Sequence, residues 1–203
     1  MDYYYDKENT EKAPKEKKGG AKKEIFEWLD AVVASVVVII LLFTFVFRVV
    51  GIKGQSMENT LFENDRVIIS DLFYKPKQGD VVVISRNYKN INGDKNRDDS
   101  PIIKRVIATE GQEVTIDPSD GKVIVDGVVL AENYIKEGQI TTWGDGSTEE
   151  RTVTVEKGRI FVMGDNRGES LDSRYEAIGQ VDTRYVLGHA VLRIYPFGKI
   201  KWL

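Results

Sequence analysis

Three segments of the sequence contain side chains that could perform covalent chemistry together. Residues 51–61 (GIKGQSMENTL) place Ser56 in a glycine-containing turn, and residues 101–107 (PIIKRVI) place Lys104 among aliphatic neighbours. The third segment, residues 164–174 (GDNRGESLDSR), is polar at eight of its eleven positions. A serine hydroxyl becomes a nucleophile when a neighbouring base removes its proton, and an uncharged lysine amine is a competent base.

Each segment also has an ordinary structural explanation when it is taken alone. Ser56 could be a turn residue before a strand, and Lys104 could extend its charged end to solvent at the edge of a sheet. Residues 164–174 could be a surface loop. They could also be a calcium loop.

The setting of Lys104 in a predicted strand bears on what its amine can do. Alternate side chains of a strand share a face, so Lys104 lies with Ile102 and Val106, while Arg105 points the other way. If that face is buried, desolvation disfavours the ammonium and lowers the pKa of Lys104. The neutral amine would then serve as a general base in mildly alkaline solution.

Composition narrows the choice of partner for Ser56. Cysteine is absent, which excludes disulfides, zinc–thiolate sites and cysteine nucleophiles. The single histidine, His189, follows Gly188 without an evident carboxylate partner, and one imidazole cannot make a His-rich metal site. The net charge of −3 gives no basic surface for nucleic acid. A base other than histidine is therefore needed, and Ser–Lys pairing is an established variant of the catalytic triad.

An apolar segment near the N-terminus predicts a membrane anchor. Ala31–Phe47 is a run of 17 uncharged residues within the predicted anchor, residues 25–50, and about 20 such residues span a bilayer core. The preceding tail, residues 1–24, is rich in Lys and Glu and is predicted to be disordered. Its lysines predict a cytoplasmic N-terminus and an extracytoplasmic domain. A cleaved signal peptide is the alternative, but its apolar region is shorter and ends at an Ala-x-Ala-like site.

Beyond residue 50 the sequence predicts a mainly β, antiparallel domain. Short runs rich in Val and Ile alternate with Gly, Asn and Asp clusters, and Asp126–Gly127 predicts a two-residue hairpin turn. A polar loop is predicted at 86–100, with a turn at Asn92–Gly93, and one short helix near 170–177. The predicted strands are residues 66–70, 80–85, 102–108, 113–116, 122–125, 128–131, 152–155, 159–163 and 190–195.

The domain organisation follows from this pattern. Residues 113–158 are predicted to form a small inserted β subdomain, since they contain the hairpin and a glycine-rich loop. Residues 51–112 and 159–203 would then form the catalytic β core.

Taken in order, the segments resemble the motif series of bacterial type I signal peptidases, with one span as in the Gram-positive branch. With the apolar segment, the resemblance covers about residues 25–203. The matching motifs are Gly54-x-Ser56-Met57-x-x-Thr60-Leu61, Gly79-Asp80 before three valines, Ile103-Lys104-Arg105-Val106, and the segment from Gly164 to Arg174.

The resemblance implies a role for each matching residue. Ser56 would be the nucleophile and Lys104 its general base, with Ser170 hydrogen-bonded to Lys104 to orient it. Asp172 and Arg174 would form a supporting ion pair.

The resemblance also implies a membrane-bound hydrolase that needs neither cofactor nor metal and does not bind nucleic acid. Its substrates would be secretory preproteins cut after a small-x-small sequence, beside membrane lipid. Some relatives carry a hydroxyl donor for the oxyanion two residues before the nucleophile, where this chain has Gly54. Val81, Val83 and Ile102 are candidates to line the substrate pockets.

Two departures from the family pattern stand close to reacting groups. Asn59 occupies the position of a usual proline, and residues 108–112 (ATEGQ) replace a usual Gly-x-Pro-Gly-Asp. Each could loosen a loop that positions a reacting group. Two other classes stay open at this point. One is a non-enzymatic, membrane-tethered β-domain, which Asn59 favours. The other is a Ser–Lys autoprotease, which the membrane segment disfavours.

Overall fold

A computed structural model describes residues 20–85 and 100–203 of the chain. The predicted polar loop and its Asn92–Gly93 turn lie almost wholly outside the described residues, as do the first 19 residues of the predicted tail. Contact patterns divide the chain into two units, Met1–Leu42 and Phe43–Leu203.

Helix α1 comprises Gly20–Phe45. Its part Lys23–Thr44 has 22 residues and a mean hydropathy of 2.4, and it is the one helix in the described ranges that is long and apolar enough to cross a membrane. At ~1.5 Å per residue it extends about 33 Å. The helix therefore begins inside the predicted tail, five residues before the predicted anchor. The anchor prediction is also too long at its other end, because strand β1, Phe47–Gly51, follows directly.

Eight antiparallel strands form the larger sheet. Its hydrogen-bonded order is β1–β2–β11–β3–β4–β9–β10, and β12 pairs with β11. Register shifts in β11 and in the β4–β9 pairing mark bulges, which bend a sheet. Beside β1, the strands are β2 (Arg66–Ser70), β3 (Val81–Ile84), β4 (Ile102–Thr109), β9 (Arg159–Met163), β10 (Val181–Asp182), β11 (Val186–Tyr195) and β12 (Lys201–Trp202).

A second sheet of four strands is continuous in sequence. Its order is β7–β6–β5–β8, where β5 is Glu113–Asp117, β6 Lys122–Val125, β7 Val128–Val129 and β8 Arg151–Thr154. Asp126 and Gly127 connect β6 to β7 with φ of 50° and 78°, the left-handed conformation that a two-residue hairpin turn requires. The predicted fold class, an antiparallel β-domain with a second small sheet after one apolar helix, is confirmed.

The sequence misplaces some elements at the edges of the domain. Strands β10 and β12 are not predicted because each has only two residues. Strand β1 is not predicted because its sequence looks like a continuation of the apolar segment. The predicted helix near 170–177 is wrong, since a 3₁₀ turn, Arg167–Glu169, is followed by turns. Asp172 and Ser173 explain this difference, because their side chains accept hydrogen bonds from the N–H groups of Gly164 and Val162 and so compete with a helix.

Candidate active site

Ser56 lies in the turn that connects β1 to β2. The backbone closes here through hydrogen bonds from Glu58 N–H to the Gln55 carbonyl and from Leu61 N–H to the Met57 carbonyl, at 3.0 and 2.8 Å. Met57 and Leu61 are buried in the core and anchor the turn. Ser56 itself is only half-buried. The turn is therefore anchored in the core on one side while Ser56 lies at the surface.

Lys104 lies in β4, between β3 and β9. Its side chain is buried, with the residue 3% exposed, and its Nζ donates a hydrogen bond to Ser56 Oγ at 2.7 Å. Nζ also donates to the Ile103 carbonyl at 2.9 Å. Two residues separated by 48 positions in sequence therefore meet in direct contact.

Ser170 is brought to the same place without the contact that the sequence predicts. Its hydroxyl is buried and has no hydrogen-bond partner among the described residues, so the predicted bond to Lys104 is not formed here. Gly164 shows how close the packing is. A Cβ on this glycine would lie 2.3 Å from Ser170 Oγ and 2.4 Å from the Ser56 carbonyl oxygen. Only glycine allows these two segments to approach each other this closely.

Asp172 and Arg174 form the ion pair that the sequence predicts. Arg174 donates from Nε to Asp172 Oδ1 at 2.8 Å and from Nη2 to Oδ2 at 2.9 Å, and both side chains are buried. Arg174 also donates to the carbonyls of Arg167 and Ser170. The pair therefore fixes the loop that carries Ser170, and its supporting role stays a prediction.

A second buried ion pair was not predicted. Arg105 donates to both carboxylate oxygens of Asp165, at 2.8 and 2.7 Å, and to the Gly79 carbonyl at 2.7 Å. Thr60 Oγ1 donates to the same carboxylate. The alternation of side chains along β4 places Arg105 on the face opposite Lys104. That alternation does not show that the second face is buried as well. Both Arg105 and Asp165 lie inside the family motifs, and this is the feature of the sequence that could have indicated the pair.

A cavity of about 240 Å³ lies at the Ser56–Lys104 contact. Ile102 is among the residues that line it, whereas Val81 and Val83 are not, and the part of all three in substrate binding stays a prediction. The register pairs Val82 with Lys104, so Val81 and Val83 point to the opposite face and pack in the core. The lining residues are Lys53, Gly54, Gln55, Ser56, Ser100, Pro101, Ile102, Ile103, Lys104, Glu169 and Leu171.

Two other features of the described residues, a larger cavity and the single histidine, do not repeat this serine–lysine contact. A larger cavity of about 470 Å³, bordered by Tyr74, Glu110 and Arg159, has no serine in its lining. His189 stacks on Tyr74 at 4.3 Å between ring centroids, and its Nδ1 lies 3.0 Å from the Ser70 carbonyl oxygen. Burial and the carboxylate of Asp80 raise the pKa of Tyr74, so this phenol stays neutral. Within the described ranges, no three His, Asp or Glu side chains cluster to hold a metal ion.

A serine hydroxyl in contact with a buried lysine amine is the arrangement expected of a serine hydrolase with a lysine base. Comparison of the sequence with known protein families identifies the class of hydrolase further. Residues 25–195 match the family model described as signal peptidase, peptidase S26. The chain therefore belongs to the S26 signal peptidase family, and it is a serine endopeptidase of that family.

Proteins of similar sequence come from several bacteria. A signal peptidase I of Bacillus licheniformis is 30% identical over 196 residues, covering 92% of this chain and 97% of the relative. A probable signal peptidase I-2 of Synechocystis is 36% identical over 179 residues, covering 85% and 76%. Among solved structures, a signal peptidase I from Enterococcus faecalis V583 aligns with a TM-score of 0.43 and 26% identity, covering 58% of this chain and 98% of that one.

Proposed function

We propose that this chain removes signal peptides from secretory preproteins, with Ser56 as nucleophile and Lys104 as general base. The observation that carries the proposal is the 2.7 Å hydrogen bond between Lys104 Nζ and Ser56 Oγ at a lysine that is 3% exposed. Burial disfavours the charged ammonium, and the base needs a neutral amine. The direct contact provides the path for the proton.

The reaction proceeds in two steps. Ser56 Oγ attacks the carbonyl carbon of the scissile bond while its proton moves to Lys104 Nζ, and Nζ then protonates the leaving amine. The resulting ester on Ser56 is hydrolysed when Lys104 takes a proton from water and the hydroxide oxygen attacks the acyl carbon. The bond between the acyl carbon and Ser56 Oγ then breaks as Lys104 Nζ returns the proton to Oγ, which restores the free serine. The mature protein leaves first with its new N-terminus, and the signal peptide leaves as a carboxylate.

The oxyanion is stabilised mainly by backbone. The Ser56 N–H is the first donor, because it lies on the residue whose Oγ attacks. Gly54 supplies no side-chain donor, and its φ of 77° is a conformation that favours glycine. A second donor must therefore come from another N–H or from water.

Specificity for small side chains follows from the geometry of an extended substrate. A preprotein bound as an added strand directs alternate residues to one face, so the residues at −1 and −3 enter the enzyme together. Ile102, Ile103 and Leu171 are the aliphatic residues in the cavity lining, and they come from two different segments. With their bulk beside Ser56, we expect Ala to be accepted at these positions and larger residues to be excluded.

The apolar helix would place this chemistry at the membrane. With α1 as a single span, the lysine-rich N-terminal side would face the cytoplasm and the β domain the extracytoplasmic side. Only ten residues separate Phe45, the end of α1, from Ser56. The nucleophile would then lie where the cleavage site of a translocated preprotein emerges from the bilayer.

Cleavage by the full-length chain in detergent tests the proposal. We expect wild type to cut a preprotein after a small-x-small sequence, identified by the N-terminus of the product. Ser56→Ala and Lys104→Ala should each lower the rate by about 10⁴-fold or more while the domain stays folded. The matched controls are Ser119→Ala, in the turn between β5 and β6, and Lys122→Ala, at the start of β6. Both positions are exposed, and both variants should cleave at the wild-type rate. An active Lys104→Ala enzyme would disprove the role of the lysine.

A further inference from the structure

We propose that Asn59 is a positioning residue, which holds the turn carrying Ser56 against residues 134–139 of the segment between β7 and β8. The inference rests on the proposed role of Ser56 as nucleophile. The four-stranded sheet would then contribute to the reaction, because residues 134–139 belong to the segment that connects its strands β7 and β8.

The backbone of Asn59 has an uncommon conformation. Its φ is 90°, in the left-handed region that Asn and Gly adopt more readily than other residues. Proline, the residue that the family usually has here, fixes φ near −65° and cannot adopt this conformation. The turn around Ser56 is therefore built for asparagine in this chain.

The side chain of Asn59 uses that conformation to make two contacts. Its Nδ2 donates hydrogen bonds to the Tyr134 carbonyl at 3.2 Å and to the Ile135 carbonyl at 3.1 Å. These partners lie 75 and 76 residues later in sequence. The expectation that Asn59 loosens this turn is therefore not what the structure shows, because the amide ties it to a distant segment.

The same segment also reaches the other side of Ser56. Lys136 N–H donates to the Asp165 carbonyl at 3.3 Å, and Gln139 Nε2 donates to Asn166 Oδ1 at 2.5 Å. Asn166 in turn donates from its N–H to the Ser56 carbonyl and from Nδ2 to the Gln55 carbonyl, both at 3.0 Å. Residues 134–139 thus hold the nucleophile's turn from two directions, through Asn59 and through Asn166.

The lysine's strand is connected to the same segment. The Tyr134 ring lies over the guanidinium of Arg105, with 4.1 Å between the Arg105 Cζ and the ring centroid. Arg105 is the direct neighbour of Lys104 in β4. Residues 134–139 therefore contact both the turn that carries the proposed nucleophile and the strand that carries its base. A reaction that depends on the spacing of these two side chains should respond to their common support.

A second contact between the two segments is not expected to position Ser56. Glu58 and Lys136 form an ion pair at 3.2 Å, but the Lys136 side chain is 51% exposed. Exposed ion pairs contribute little and do not fix geometry. Asn59 is exposed as well, but its left-handed backbone is constrained and its amide has two backbone acceptors, so it is the better candidate.

The test compares Asn59→Gly and Asn59→Asp with Asn64→Gly in the full-length chain. Glycine keeps the left-handed backbone and removes the amide, while aspartate would direct a carboxylate at two carbonyl oxygens. Asn64 is the matched control, because it is an exposed asparagine with φ of 69° that follows in the same connection to β2.

We expect kcat to fall about tenfold in both Asn59 variants, with KM within about twofold of wild type. Asn64→Gly should keep the wild-type kcat, and every rate is measured below the thermal midpoint of the variant so that unfolding does not lower it. Wild-type kcat in Asn59→Gly would overturn the inference, and so would an equal loss in Asn64→Gly. Failure of the proposed function is distinct, since it would appear as cleavage by Ser56→Ala.

Discussion

The two sheets of the domain bury their residues in different ways. The central strands β3 and β9 are covered on both faces, and charged side chains of β4 are buried among them. In the four-stranded sheet, β5 and β6 alternate between fully buried and more exposed positions, with apolar residues on the buried face. One ion pair from each region shows the contrast: Arg105–Asp165 is buried, whereas Arg151–Asp145 is exposed.

This difference in burial indicates which substitutions the chain can tolerate. A buried carboxylate is stable only with its partners in place, so the loops around Ser56 depend on a few long-range ion pairs. The four-stranded sheet depends on apolar packing against β4 and β9, through a core that contains Ile107, Ile116 and Phe161. Substitutions in the two regions should therefore affect stability and catalysis differently.

The largest effect is expected for Asp165→Asn. The substitution keeps the size of the side chain but leaves the buried guanidinium of Arg105 without its carboxylate. Removing one partner of a buried pair costs about 3–5 kcal/mol in the free energy of unfolding. Denaturant unfolding of the full-length chain in detergent, followed by fluorescence of the buried Trp143, would measure it. The cleavage rate should also fall, because Thr60 bonds the same carboxylate. Wild-type stability would show that the pair is not structurally important.

An intermediate effect is expected for Ile116→Val in β5. Deleting one buried methylene lowers the free energy of unfolding by about 0.5–1.5 kcal/mol. Because Ile116 is in the core below the four-stranded sheet, kcat/KM should remain that of wild type below the unfolding transition. A loss of kcat/KM without a loss of stability would contradict the division between the two regions.

The smallest effect is expected for Asp145→Asn, the same chemical change at an exposed ion pair. A hydrogen bond from the Ser147 N–H and then Arg151 lower the pKa of Asp145. A lowered pKa stabilises the fold at neutral pH, and this contribution is lost as the pH falls through the folded-state value. Solvent screens the pair, so neither the denaturation midpoint nor the cleavage rate should change measurably. A shift comparable to that of Asp165→Asn would remove the contrast between buried and exposed pairs.

The sequence by itself determined the elements that depend on local pattern. Alternation of apolar and polar residues and a long uninterrupted apolar run are properties of neighbouring residues, so the apolar helix α1, most strands and the Asp126–Gly127 turn were predictable. Ser56 and Lys104 were found by residue type and by the resemblance of their surrounding motifs. Local pattern fails at β1 because pairing with β2 overrides local preference. It fails at residues 170–177 because the side chains of Asp172 and Ser173 accept hydrogen bonds from backbone N–H groups of residues 162 and 164.

Only the tertiary structure decided what those residues touch. Lys104 meets Ser56 because β4 lies inside the sheet, and burial on both faces of that strand cannot be read from its own alternation. The register of β3 against β4 turns Val81 and Val83 away from the cavity, a choice that a shift of one residue would reverse. The contacts of Asn59 lie 75 and 76 residues away. These contacts form because the fold brings two distant segments together, and the spacing of residues along the chain does not predict them.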